Sequence, residues 1–114
     1  MNEPIFSNLN GKASGFIVSG AGETGVNGTY CEAGTYENRP YYTYLSPTLG
    51  TLYLVYQSAF ETWMIGYDLD NGTECYYTSG LQSGNTPPLN GWESSFWGIE
   101  IGGSPAPTLS STTC

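Results

Sequence analysis

The sequence predicts an all-β fold: a small antiparallel sheet, sandwich or partly open barrel of short strands, with a loosely structured N-terminal arm and a Pro-rich C-terminal segment. Three observations predict it. Runs rich in Tyr, Val, Ile and Thr, the residues that suit a pleated and half-buried surface, recur at intervals of about ten residues. Between them lie turn clusters, and the 16 glycines and 7 prolines interrupt every stretch long enough for three helical turns. Apolar residues nowhere recur at the 3.6-residue spacing of a helix. At 114 residues the chain has the size of a single domain. We divide it into an arm over residues 1–14 and one β-domain over residues 15–114.

The elements follow in order. The arm is polar and is expected to dock on a neighbour. Phe16-Ile17-Val18 reads as a first short strand, residues 20–25 as a loop, and Asn27-Gly28 as a hairpin-type turn. A strand over residues 29–35 leads to a turn at Glu37-Asn38-Arg39-Pro40, with Pro40 suited to a sheet edge or a strand start. Residues 41–45 and 52–56 read as a central hairpin joined through residues 46–50. Residues 63–67 and 74–78 are the next two strands, with Asp70-Asn71-Gly72 between them. Residues 91–93 and 96–99 are looser, and Pro105 and Pro107 frame a last extended segment. The expected result is a sheet of four or five strands with the Pro-rich tail folded over it.

Composition excludes several functions. Ten acidic residues against Lys12 and Arg39 give a net charge of −8, which repels phosphate-bearing partners and anionic membrane surfaces. No nucleic-acid partner is expected. No apolar run reaches the roughly 20 residues that a membrane-spanning helix needs, so no membrane insertion is expected. The absence of histidine removes the usual general base at neutral pH and the commonest metal ligand. The chain therefore reads as a non-enzymatic binding or structural module without a cofactor.

Candidate sites are few. The aromatic residues Tyr42, Tyr44, Tyr53, Trp92 and Trp97 form a candidate binding surface on which sugar rings could stack. Strand alternation sets Tyr42 and Tyr44 on one face, and Tyr53 with Val55 on one face of the next strand. Asp68, Asp70 and Glu74 place several oxygens around Asn71-Gly72 and form a calcium candidate. The spacing lacks the EF-hand pattern, and an acidic β-turn is the ordinary account of it, so no metal is expected. Arg39, the only arginine, is expected to stack on an aromatic ring or to pair with Glu37 or Glu32.

Of the three cysteines, Cys31 and Cys75 each end the same string, Asn-Gly-Thr-x-Cys. Each is expected to enter a strand directly after a turn, which makes Cys31–Cys75 the candidate disulfide and leaves Cys114 as an exposed bystander. Cysteines at these distances lack the close pairs of a structural zinc site. Asn27 and Asn71 head two Asn-Gly-Thr sequons, acceptors for glycan if the chain is secreted. Residues 1–7 carry neither the basic nor the long apolar region of a secretory signal.

A spaced pattern covers most of the chain. It runs Val26-Asn27-Gly28-Thr29-Tyr30, then Gly34-x-Tyr36-x-Asn38-Arg39-Pro40-x-Tyr42, Tyr53-Leu54-Val55-Tyr56 and Trp63-Met64-Ile65-Gly66. It continues with Tyr76-Tyr77, Pro87-Pro88-x-x-Gly91-Trp92 and Pro105-x-Pro107. This resembles a small aromatic β-module of phage and bacterial structural proteins, which also occurs as repeats in extracellular proteins. The module's second turn usually carries Asn-Gly followed by Lys-Pro or Arg-Pro; Glu37-Asn38-Arg39-Pro40 lacks that glycine, with loss of the tight turn as the expected consequence. The resemblance implies the fold and a surface-exposed setting, and no catalytic group.

Together these features lead to an expected virion structural protein, most specifically a capsid decoration or head-surface protein of a tailed phage. It would sit on the virion surface and pack on a capsid protein or on sister copies. Two alternatives stand beside it: a secreted carbohydrate- or matrix-binding module with a glycan partner, and a subunit of an extracellular fibre.

Overall fold

The computed structural model describes residues 14–69, 75–82, 84–94 and 103–114. It is all-β. Eight strands make one antiparallel sheet: β1 (Ser14–Ser19), β2 (Gly28–Tyr36), β3 (Arg39–Ser46), β4 (Gly50–Gln57), β5 (Thr62–Gly66), β6 (Cys75–Thr78), β7 (Glu93–Ser94) and β8 (Thr108–Thr113). Their spatial order is β7-β6-β5-β4-β3-β2-β1-β8. A seven-strand meander thus curls into a half-barrel, and the chain returns so that β8 lies on the free side of β1.

Local chemistry explains most of the connections. The β2–β3 hairpin turns on two residues, Glu37 and Asn38, both with positive φ (53° and 67°), the type I′ geometry that matches strand twist. The tight turn therefore survives without glycine. Asn38 tolerates the left-handed region, and Glu37 is held by its carboxylate, which accepts a bond from Ser58 N at 2.8 Å. Pro40 sits near the start of β3. Between β3 and β4, Ser46 Oγ accepts bonds from the amides of Thr48 and Leu49, and Gly50 takes a positive φ of 80°.

Three expectations need correction. Asn27-Gly28 is not a hairpin turn: the β1–β2 connection is a longer loop containing a single 3-10 turn over Thr24–Val26, and Asn27 is extended. The sheet has eight strands rather than four or five. The tail after Pro107 does not fold over the sheet but extends it as β8, paired with β1 from Ser14↔Thr113 to Ser19↔Thr108. The arm over residues 1–13, the turn at residues 70–74 and the segment at residues 96–99 lie outside the described residues.

The core lies on one face of the sheet. Alternating residues supply it, Phe16 and Val18, Tyr42 with partly buried Tyr44, Leu52 and Leu54, together with Tyr30, Tyr56, Trp63, Ile65, Tyr77 and Leu109. Ala21 and Val26 from the β1–β2 loop, and Trp92, close over them. Burying such side chains is worth roughly 1.5–3 kcal/mol each. Several of their polar tips are satisfied within the fold: Tyr30 OH donates to Val26 O at 2.8 Å, and Trp92 Nε1 to Pro88 O at 2.8 Å. Tyr77 OH accepts from Glu23 N at 3.0 Å and donates to Gly103 O at 2.6 Å.

Candidate binding surface

Strand alternation sends the other half of the side chains to the outer face. That face divides in two. Over β5 it is covered, since every residue of Thr62–Gly66 is buried. Gln57 Nε2 donates there to Leu69 O at 2.7 Å, which draws the chain after β5 across this half. Over β8, β1, β2, β3 and the start of β4 it is open. The registers align Thr112, Gly15, Cys31, Thr43 and Tyr53 in one row, and Ser110, Ile17 and Thr29 in the next, with Leu45 opposite Thr51 beyond. Ile17 is 39% exposed and Leu45 74%.

Among the described residues this open face carries no acidic side chain. Among the described acidic residues, Glu23, Glu37, Glu61 and Asp68 lie in connections and Glu93 in β7. Glu32 pairs with core residue Tyr42 and accepts a bond from Ser14 Oγ at 3.0 Å, on the core side. The Arg39 guanidinium stacks on the Tyr56 ring at 3.8 Å, and its Nε donates to Gly84 O at 3.1 Å. The expected stacking of Arg39 is thus present, and its ring is Tyr56.

A disulfide crosses the same face. It joins Cys31 to Cys114, with Cα atoms 5.9 Å apart, not Cys31 to Cys75. The two Asn-Gly-Thr-x-Cys strings do not enter neighbouring strands. Cys31 lies on β2 and Cys75 on β6, four strand spacings or roughly 19 Å apart along the sheet. Cys75 is instead buried in β6, 1% exposed. Because β8 returns beside β1, Cys114 reaches Cys31 across β1 at Gly15.

The five aromatic candidates do not form one platform. Tyr42 and Trp92, 2% and 7% exposed, belong to the core. Tyr44 packs on the core side, its ring centroid 5.2 Å from that of Tyr30. Tyr53 is on the outer face, half-buried. Trp97 lies outside the described residues. The ring neighbour of Tyr53 is Tyr41, at 6.2 Å and an interplanar angle of 39°. Sequence reasoning missed Tyr41. The usable signal was Gly34: Tyr41 pairs with it across the β2–β3 ladder, beside the bulge between Glu32 and Gly34, and the ring lies over the glycine.

The remaining candidates are quickly placed. Asp68 is exposed after β5, while Asp70 and Glu74, with the sequon at Asn71, lie outside the described residues. Asn27, the other sequon, brackets the β1–β2 loop: its Oδ1 accepts from Ala21 N at 2.9 Å and its Nδ2 donates to Ala21 O at 3.3 Å. A shallow open depression of about 430 Å³ lies between Tyr56, Glu61, Leu81 and Gln82. One face of Tyr56 is already taken there by Arg39.

The resolved titration shifts fall on tyrosines. Burial pushes the hydroxyls of Tyr30, Tyr42, Tyr76 and Tyr77 above the ordinary tyrosine value; the Glu32 carboxylate adds to this at Tyr42, and Glu23 at Tyr76. These phenols stay neutral and serve as hydrogen-bonding and packing groups. What the open face offers a partner is apolar contact, hydroxyls and one tyrosine pair. No family model, curated protein or solved structure matches the chain.

Proposed function

We propose that this chain is a non-enzymatic virion structural protein, a capsid decoration or head-surface protein of a tailed phage, which packs its open sheet face on a capsid protein. The observation that carries this reading is that, among the described residues, no acidic side chain lies on the outer surface of β8, β1, β2 and β3, on a chain of net charge −8. Depletion of charge at the centre of a patch is a mark of protein interfaces. Ile17 and Leu45 supply exposed apolar anchors there, each worth roughly 1.5–3 kcal/mol if fully buried by a partner. A disulfide suits an oxidising exterior better than a reducing cytosol, and the resemblance to structural modules of phages points the same way.

The test is direct. Peptides of the chain should be found by mass spectrometry in purified particles, and the purified chain should co-sediment with particles stripped of it. Leu45→Glu leaves the core untouched and should weaken that binding by about tenfold or more. Particles free of the chain, or equal binding by Leu45→Glu, would defeat the assignment.

One observation favours a second reading, a module that binds neutral saccharides. Tyr41 and Tyr53 are adjacent, half-exposed rings, and Thr43 pairs with Tyr53 and brings a hydroxyl beside it. Rings with neighbouring hydroxyls and no charge suit a sugar face. In that case Tyr53→Ala abolishes saccharide-dependent changes in intrinsic fluorescence, and Leu45→Glu leaves them in place.

A further inference from the structure

β8 is an edge of the sheet, and one bond shows which of its backbone groups face outward. The Leu109 amide donates to Leu89 O at 2.8 Å, on the side away from β1. Successive residues of an antiparallel strand address opposite neighbours. Thr108, Ser110 and Thr112 therefore direct their amides and carbonyls to β1, while Ser111 and Thr113 follow Leu109 outward. Leu89 covers the first of these outward positions. Among the described residues no backbone group meets the other two; the Thr113 carbonyl receives only a long contact of 3.4 Å from Thr112 Oγ1.

Edges of this kind are normally guarded by charge, proline, a bulge or an overlying segment. Beyond Leu109 the described residues supply this edge with none of them. Its sequence is Thr-Leu-Ser-Ser-Thr-Thr, and its ladder with β1 runs without a register shift. The disulfide at Cys114 anchors its far end to β2, so the edge is held in place rather than frayed.

We propose that β8 pairs antiparallel with β8 of a second copy, about a twofold axis through Thr112. That axis sets Ser111 of each copy opposite Thr113 of the other, and the two pairs exchange four N–H···O=C bonds. The outward stretch left open by Leu89 has the length this pairing uses, whereas a longer foreign strand would also need the groups of Leu109. Charge selects the same occupant. No described acidic residue belongs to β8 or β1, and the Glu32 carboxylate, which reaches β1 at Ser14 Oγ, belongs to β2, two strands in from this edge, so two chains of net charge −8 meet here with little like-charge contact. A basic partner would be drawn instead to Glu37, Glu61 and Glu93. The contact is small, and the expected dimer is weak, roughly micromolar to millimolar. It goes beyond the virion reading and requires no particle.

Sedimentation of the full oxidised chain at rising concentration tests this. A reversible dimer is expected. Ser111→Pro removes an outward N–H and leaves the β1 ladder intact; it deletes two of the four bonds and should weaken the dimer about thirtyfold without lowering the melting temperature. Ser110→Pro deletes an inward bond and should lower that temperature. Should Ser111→Pro fail to fold, hydrogen exchange of the native chain decides: the Ser111 and Thr113 amides should slow as concentration rises. A chain monomeric to millimolar concentration, a Ser111→Pro dimer as tight as the native one, or concentration-independent exchange at these two amides overturns the pairing. Protection that arises only when a different protein is added overturns it too, and assigns the edge to a foreign strand.

Discussion

Gly15 lies directly beneath the sulfur of Cys114: a Cβ at this position would come within 2.6 Å of Cys114 Sγ and within 2.6 Å of Tyr30 O. The disulfide can cross β1 because the strand is bare there. Closing a loop over a sequence separation of 83 removes chain entropy from the unfolded state, worth about 4–5 kcal/mol. Reduction, or Cys114→Ser, should lower the denaturation midpoint by that order while the meander from β1 to β7 remains folded. Gly15→Ala should destabilise by about 2 kcal/mol or more in both the oxidised and reduced chains, because the Tyr30 carbonyl remains in the way when the sulfur is gone. Urea titrations of the four species, with and without reductant, give the comparison. Equal midpoints for native and reduced chains would show that β8 needs no staple.

The Tyr77 hydroxyl joins two connections that are far apart in sequence, receiving Glu23 N–H and donating to Gly103 O. Tyr77→Phe keeps the ring in the core but leaves both backbone groups without this partner. The expected cost is about 2–3 kcal/mol, read as a shift in denaturation midpoint at constant slope. Tyr53→Phe, on the half-exposed outer face, should change stability by less than about 0.5 kcal/mol. A reversed order of the two variants would mean that the Tyr77 bonds do not hold the loops.

Much of the fold was legible because alternation is a local signal. Tyr42 and Tyr44, or Leu52 and Leu54, announce a buried face within five residues. The pattern misled where backbone geometry broke the period. At the shift between Ile65 and Gly66, an extra residue on β6 lets Tyr76 and Tyr77 both pack toward the core, which no strict alternation allows. β8 was illegible for a different reason. Only Leu109 is buried along it, so its position depends on pairing with β1 across most of the chain. The disulfide was missed with it, since Cys114 finds Cys31 only once β8 is placed. The open face was half legible: Tyr53 was named, but its partner Tyr41 emerges only from the register that sets it over Gly34.

Gly28 illustrates a contact that a single added carbon would break. A Cβ there would fall within the Tyr44 ring, which covers the glycine and leans on Tyr30. Gly28→Ala should displace Tyr44 and cost about 2–3 kcal/mol. Tyr44→Ala alone should cost a similar amount through lost packing. The double variant should be more stable than the sum of the two costs predicts, by about 1 kcal/mol or more, because the methyl then occupies space the ring has vacated. Additive costs would show that the ring and the glycine are not coupled.

The buried tyrosines set the alkaline limit of the fold. Burial holds the hydroxyls of Tyr30, Tyr42 and Tyr77 protonated at pH values where an unfolded tyrosine, with a pKa of about 10, has begun to ionise. Above that pH the unfolded chain binds fewer protons than the folded one, so stability falls as pH rises. The contribution is fully present below pH of about 10 and is lost progressively above it. Phenolate absorbance of the buried set should therefore rise in one steep step that coincides with loss of near-ultraviolet circular dichroism. Replacing Tyr77 by Phe removes one member of that set and should make the step shallower, even though it lowers stability at neutral pH. Ionisation of these buried tyrosines with the fold intact throughout would contradict the burial that governs the core.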